Sequence, residues 1–282
     1  MADDLPRDEL LTLQEAADRL KVHYMTAYRW VRRGELAAFK AGGRLRVRAS
    51  DLDSFMTDRT VDSALPREGQ RTDWPLHVER FYEHLLLGET VEAGGLVRKV
   101  VADGAPAGDV YMHLLTPALH RIGEAWADGD VCVAVEHRAT EITIGIMARL
   151  GDIFRRRGPG RGAAVTLTPP AEHHSLATQM VADFLRAGGY EVEHLGADVP
   201  LEDLGTFLRS APPLVVCVSV TNSDTEAGLY GGIVSTAREA NPDVVVAFGG
   251  QGVDAATAQS AGGVAVTDLS ELNDRLGELI PA

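Results

Sequence analysis

The stretch TPPAEHHSLA, Thr168 to Ala177, sets a carboxylate and two imidazoles between a short apolar run and the first turns of a helical pattern. Alone, a Glu and two His are as consistent with a solvated loop as with a site, and only the rest of the chain decides whether Glu172 and His174 are site residues; His173 reads as solvated. Further along lie Ser219-x-Thr221 at the end of the apolar run LVVCVSV and the pair Gly249-Gly250 at the end of DVVVAFGG. Hydroxyls can hydrogen-bond a polar ligand, and glycines let backbone approach it without a Cβ in the way.

These residues need a frame. From Ala163 onward, apolar runs of four to eight residues alternate with single helical patterns: AAVTLT, then 175–187; YEVEHLG, then 201–209; LVVCVSV, then 226–240; DVVVAFGG; and VAV, then 269–279. That alternation predicts a flavodoxin-like, doubly wound α/β domain with a parallel sheet of about five strands over 163–282. Ligands of such sheets sit outside the carboxyl ends of the strands, where all three motifs fall. Residues 76–158 carry four glycine- or proline-broken helical patterns, a small four-helix bundle, with Trp126, Glu136 and His137 near its third and fourth helices.

The net charge of −14 excludes a chain that is basic throughout, yet Arg29, Arg32, Arg33, Lys40, Arg44, Arg46 and Arg48 face only Glu35 over twenty residues. Around this island, Thr12 and Glu15 form a capping box for one helix, a second helix runs from Thr26 to Arg32, and a basic hairpin follows with its turn at Gly42-Gly43. The segment 8–58 resembles the winged helix-turn-helix of the excisionase and MerR-like families, which implies binding of double-stranded DNA. Tyr28 or Arg29 would lie near base edges, with Arg32, Arg33, Lys40, Arg44 and Arg46 on phosphates. Residues 59–75, polar and with two prolines, read as a linker.

Glu172-x-His174-x-x-Ala177, Ser219-x-Thr221 and Gly249-Gly250 together resemble, in type and spacing, the Asp-x-His-x-x-Gly, Ser-x-Leu and Gly-Gly signature of cobalamin-binding domains. The resemblance implies that His174 supplies the lower ligand to cobalt, that Glu172 orients it, and that Ser219, Thr221, Gly249 and Gly250 accept the displaced nucleotide tail. Two positions depart from the signature. The extra methylene of Glu172 predicts a looser or water-bridged contact to His174, and Ala177 adds a methyl where the family has glycine.

With the bundle and the helix-turn-helix in front, nearly the whole chain is similar to CarH-type light-dependent transcriptional regulators, including their Trp-x9-Glu-His motif as Trp126, Glu136 and His137. The resemblance implies adenosylcobalamin as cofactor, with those three residues on its upper face. It also implies a repressor whose cofactor state governs self-association, as dimer or tetramer, and operator binding. A histidine next to the tryptophan takes the upper cobalt position after illumination in that family. Here Ala127 stands in that place. Alternatives are therefore a regulator that senses cobalamin as a metabolite, one that uses a bilin in addition, and a corrinoid methyl-carrier protein. No catalytic residues are expected. Neither a membrane span nor a signal peptide is visible, so a cytoplasmic protein is expected, and Cys132 and Cys217 read as reduced thiols.

Overall fold

The computed structural model of the chain describes residues 9–32, 34–41, 44–58, 72–154, 160–222 and 225–280. They fall into two compact units, 1–71 and 72–282.

In the first unit, Thr12 ends strand β1 (Leu10–Thr12) and caps helix α1 (Leu13–Arg19). Its hydroxyl accepts from the Glu15 amide at 3.1 Å while its own amide donates to the Glu15 carboxylate at 2.7 Å, the reciprocal box that the sequence predicts. Helix α2 (Tyr24–Arg32) follows and is stopped at Gly34, whose φ of +73° suits glycine. Strands β2 (Phe39–Ala41) and β3 (Arg44–Arg48) make the wing, and helix α3 (Ala49–Asp58) closes the unit. The sheet order is β1-β3-β2, antiparallel throughout. Sequence reading missed β1, because three residues running directly into a helix cap show no alternation. Leu13, Ala16, Ala17, Ala27, Val47 and Leu52 form the buried core.

The second unit begins with helix α4 (Trp74–Leu87), capped by Asp73 and ended by Gly88 at φ +74°, and helix α5 (Thr90–Ala102). A continuous helical run follows, made of α6 (Ala107–Val110), a π-helical turn (Tyr111–Leu115) and α7 (Thr116–Ala127). Helix α8 (Val133–Leu150) completes the bundle around Phe81, Leu85, Val97, Leu114, Ile122 and Ile146.

Strands β4 (Ala163–Leu167), β5 (Glu191–Gly196), β6 (Val215–Ser219), β7 (Val245–Gly249) and β8 (Val264–Ala265) form one parallel sheet in the order β5-β4-β6-β7-β8. Helices α9 (Ser175–Ala187), α10 (Leu201–Ser210), α11 (Ala227–Ala240), α12 (Ala255–Ser260) and α13 (Leu272–Leu279) connect and cover it. This is the flavodoxin-like order, with its switch point between β4 and β6.

Bundle and sheet are one compact unit because α9 serves both. Leu176, Met180 and Phe184 pack into the bundle core, while Val181 and Leu185 pack against the strands. Buried Tyr111, at the π-helical turn, donates its hydroxyl to Asp183 of α9 at 2.8 Å. Burial, then the adjacent Asp183 carboxylate, push the Tyr111 phenol upward, so it remains a donor.

A candidate cobalt-ligand site at the switch point

The residues after β4 are held by a small set of hydrogen bonds. Thr168 gives its hydroxyl to the Glu172 carbonyl at 2.5 Å and accepts from the Asp198 amide at 2.9 Å. The Asp198 amide also donates to that same carbonyl at 3.1 Å, and the Asp198 carboxylate accepts from the Ala171 amide at 2.7 Å. Ala171 (φ +66°) and Asp198 (φ +54°) both adopt left-handed backbone, uncommon for residues with a side chain. The loop is thereby fixed with the Glu172 side chain inside and His174 outside.

Glu172 is 3% exposed, and its carboxylate is saturated with donors. Oε1 accepts from the His174 amide at 3.0 Å and from His174 Nδ1 at 2.5 Å; Oε2 accepts from the amides of Thr221 at 2.9 Å and Asn222 at 2.8 Å. One carboxylate thus ties the loop after β4 to the loop after β6 across the switch point. The expectation of a looser or water-bridged contact is overturned: the Glu172–His174 bond is direct. The additional methylene lets the acid reach the β6 loop while still holding the imidazole. Burial alone would raise the Glu172 carboxyl, but the bonds from His174, Asn222 and Thr221 outweigh it and hold it below the ordinary carboxylate value. An ionised carboxylate can only accept, so Nδ1 of His174 is the donor in this bond, and Nε2 is the ring nitrogen that Glu172 leaves unengaged. The His174 side chain is 66% exposed. It is an oriented, solvent-facing imidazole, as a metal ligand must be. Among the described residues no three His, Cys, Asp or Glu side chains converge as a metal cage. His173 is exposed, as expected.

The other predicted residues gather at the same end of the sheet. Ser219, the last residue of β6, is buried and pairs in register with Gly249, the last of β7. A Cβ on Gly249 would come within 2.9 Å of the Val266 carbonyl oxygen, and one on Gly250 (φ +112°) within 2.2 Å of the Val220 carbonyl oxygen. Both glycines are therefore required by backbone packing. Thr221 is half-buried and contributes its amide to Glu172; half-buried Ala177 lies in the first turn of α9.

Side chains alternate along the strands, so the two faces differ. Val165, Leu167, Val216, Val218, Val246 and Phe248 meet α10 and α11 in a core of large side chains. Ala164, Val215, Cys217 and Ala247 turn to α9 and α13. By the same alternation Thr166, Thr168, Ser219 and Gly249 belong to this second face, small and polar toward the carboxyl ends. An oriented imidazole at its mouth and a glycine- and hydroxyl-lined floor fit a large cofactor with a metal and a polar tail.

The bundle meets this end through α7. Thr116 donates to the Met180 sulfur at 3.7 Å, and His120 Nε2 lies 2.7 Å from Nε2 of Gln251, the residue after Gly249-Gly250. Trp126, near the end of α7, is 49% exposed although it is a large apolar side chain. Glu136, in the first turn of α8, accepts from Thr140 at 3.0 Å, and the largely exposed His137 is 3.6 Å from its carboxylate. Of the other bundle histidines, His113 packs against Trp74 with ring centroids 5.5 Å apart and the rings tilted by 47°. His120 and Gln251 are the contact that sequence reading missed, because neither belongs to a motif.

In the first unit, Tyr28 is half-buried and stacks on exposed Tyr24 with ring centroids 6.3 Å apart. Arg32 and Lys40 are exposed, Arg46 is half-buried on β3, and Arg44 opens that strand. Arg29 is half-buried, with both terminal nitrogens buried. Arg33 and Gly42-Gly43 fall outside the described residues.

Comparison with known proteins agrees with this division. Residues 10–60 match a helix-turn-helix domain family, residues 162–275 a B12 binding domain, and residues 77–150 a further B12 binding domain. The architecture is accordingly that of a helix-turn-helix protein joined to a helical bundle and a B12-binding sheet. Among solved structures, a monomethylamine corrinoid protein from Methanosarcina barkeri covers 73% of this chain and 99% of its own, at a TM-score of 0.64 and 16% identity, a likeness of fold alone. Among curated proteins, the HTH-type transcriptional repressor CarH of Myxococcus xanthus is 27% identical over 168 residues, 58% of this chain and 55% of that protein. The chain thus spans just over half the length of that curated relative.

Proposed function

We propose that the chain is a cobalamin-binding transcriptional repressor that works in the cytoplasm on double-stranded operator DNA, with cofactor state controlling its self-association and its grip on DNA. The observation that carries this reading is the Glu172 carboxylate, buried and ionised, which holds His174 Nδ1 while anchoring the loop after β6. That pair has no structural need to leave an imidazole 66% exposed at the mouth of the sheet. It suits a lower metal ligand.

In this reading His174 Nε2 takes the cobalt, Ser219 and Thr221 bind the nucleotide tail, and Gly249-Gly250 keep the floor open, with Ala177 at its rim. Trp126, Glu136 and His137 cover the upper face from the bundle; an indole half exposed at the end of α7 is a surface awaiting a partner. Bound adenosylcobalamin would supply a light-sensitive cobalt–carbon bond. On the DNA side Tyr28, Arg32, Lys40 and Arg46 present aromatic and basic groups, the sequence adds the charges of Arg29, Arg33 and Arg44, and a dimer or tetramer would pair two recognition helices.

A second reading keeps the regulator but changes its input. Ala127 offers no nitrogen to cobalt, which favours cobalamin as a metabolite signal or a bilin as an added chromophore. The test is to load the chain with adenosylcobalamin in the dark and record spectrum, molecular mass and operator retardation before and after green light. The proposal expects a His174-dependent cobalamin spectrum and DNA binding lost with Arg32→Ala and Lys40→Ala. A protein that ignores the vitamin, or a His174→Ala variant with unchanged spectrum, sinks it. A change of mass and DNA affinity with light selects the first input; a red absorption band reveals a bilin.

A further inference from the structure

Thr178 lies one residue beyond Ala177 in α9, fully buried, and its Oγ1 has no hydrogen-bond partner among the described residues. A helical threonine ordinarily returns its proton to the carbonyl four residues back, as Thr143 does to Ala139 at 2.8 Å and Thr206 to Glu202 at 3.1 Å. Thr178 does not. A buried hydroxyl left without a partner destabilises the fold unless something else comes to meet it.

Its position says where that partner would be. Thr178, Ala182 and Leu185 recur at helical spacing, and Leu185 packs on the strands, whereas Leu176, Met180 and Phe184 face the bundle. Thr178 therefore looks onto the small, polar face of the sheet. The hydroxyls on that face are mostly engaged: Thr166 with His194 Nδ1 at 2.9 Å, and Thr168 with the Glu172 carbonyl. Ser219 pairs with Gly249 through its backbone, but its hydroxyl makes no side-chain hydrogen bond among the described residues. Two open hydroxyls, one on the helix and one on the sheet, thus bound the same layer beside an oriented imidazole.

We infer that Thr178 is a binding residue for the nucleotide tail of the corrinoid and a determinant of specificity for corrinoids that possess one. The inference rests on the cobalamin reading above. Thr178 remains unsatisfied in the empty protein so that the tail's polar atoms have a hydrogen-bonding group waiting in an otherwise closed layer. Stability of the empty protein is given up for affinity.

The test uses the full chain with Thr178→Val and Thr178→Ser, titrated with hydroxocobalamin and with aquacobinamide, the counterpart without a nucleotide, alongside thermal melting of the cofactor-free protein. Valine keeps the shape and removes the hydroxyl. Thr178→Val should bind hydroxocobalamin about 3- to 10-fold more weakly, bind aquacobinamide as the wild type does, and melt a few degrees higher when empty. Thr178→Ser should restore the preference for the complete corrinoid. Unchanged hydroxocobalamin affinity, or an equal loss for both corrinoids, overturns the role of Thr178. Failure of the wild type to bind either corrinoid removes the underlying reading instead. A His174→Ala variant separates the two, since it alters the cobalt spectrum with both compounds and Thr178→Val with neither.

Discussion

The two faces of the parallel sheet are made from the same strands and differ in nearly everything else. Toward α10 and α11 the central strands present Val165, Leu167, Val216, Val218, Val246 and Phe248, and Tyr230 and Phe248 pack with centroids 4.8 Å apart. Toward α9 the strands present Ala164, Cys217 and Ala247, then hydroxyls and Gly249 at the carboxyl ends. A face built for stability fills its volume; the second leaves its end small, polar and incompletely hydrogen-bonded. That contrast locates function without reference to any ligand. Substitutions on the first face should cost stability, and substitutions on the second should cost binding.

The largest effect belongs to the filled face. Phe248→Ala should lower unfolding free energy by about 3–5 kcal/mol, measured by denaturant titration, while the protein that remains folded binds cobalamin with nearly unchanged affinity. Equal loss of affinity per folded molecule would break the division between faces.

Glu172 sits where the two roles meet, and Glu172→Gln should cost about 2–3 kcal/mol because four donors lose an ionised acceptor. The sign of its pH dependence follows from the lowered carboxyl. A carboxyl lower in the folded than the unfolded chain gives stability that is complete above the ordinary carboxylate range and is lost as pH falls through the lowered value. The melting-temperature gap between wild type and Glu172→Gln should therefore be widest at neutral pH and close below about pH 4. A gap that stays constant down to pH 3 would remove ionisation as the cause.

Much of this site is legible in the sequence, and the reason is local. Glu172-x-His174, Ser219-x-Thr221 and Gly249-Gly250 are side-chain or glycine requirements at strand ends, and strand ends can be placed from apolar runs. The bridge from Glu172 to the amides of Thr221 and Asn222 is not legible, because backbone donors are the same at every residue. Nor is Thr178: its orphaned hydroxyl exists only once α9 has been laid on the sheet. Arg29 is legible only in part. Its place in a basic run suggests a DNA contact, yet its terminal nitrogens are buried, and no pattern of charge reveals which way a long side chain turns.

A smaller effect is expected at Ser219. Its hydroxyl makes no bond among the described residues, so Ser219→Ala should change stability by less than about 1 kcal/mol and weaken cobalamin binding about 3- to 10-fold. Isothermal titration against the wild type measures the second number. A stability loss without an affinity loss would place Ser219 with the filled face.

The smallest effect tests how deep the open end reaches. Cys217 lies two residues before Ser219 on the same face, fully enclosed, and burial pushes its thiol up to about 12, so at pH 8 it is protonated and unreactive. Cys132, at the start of α8, is exposed. A thiol reagent should therefore label one equivalent rapidly, and Cys132→Ala should abolish that fast phase with Cys217 left intact. If Cys217 reacts as fast as Cys132 in the folded protein, the polar layer extends past Ser219 into the body of the sheet, and the boundary between the packed and the open part of this face must be drawn one residue pair deeper, at Cys217 and Ala247.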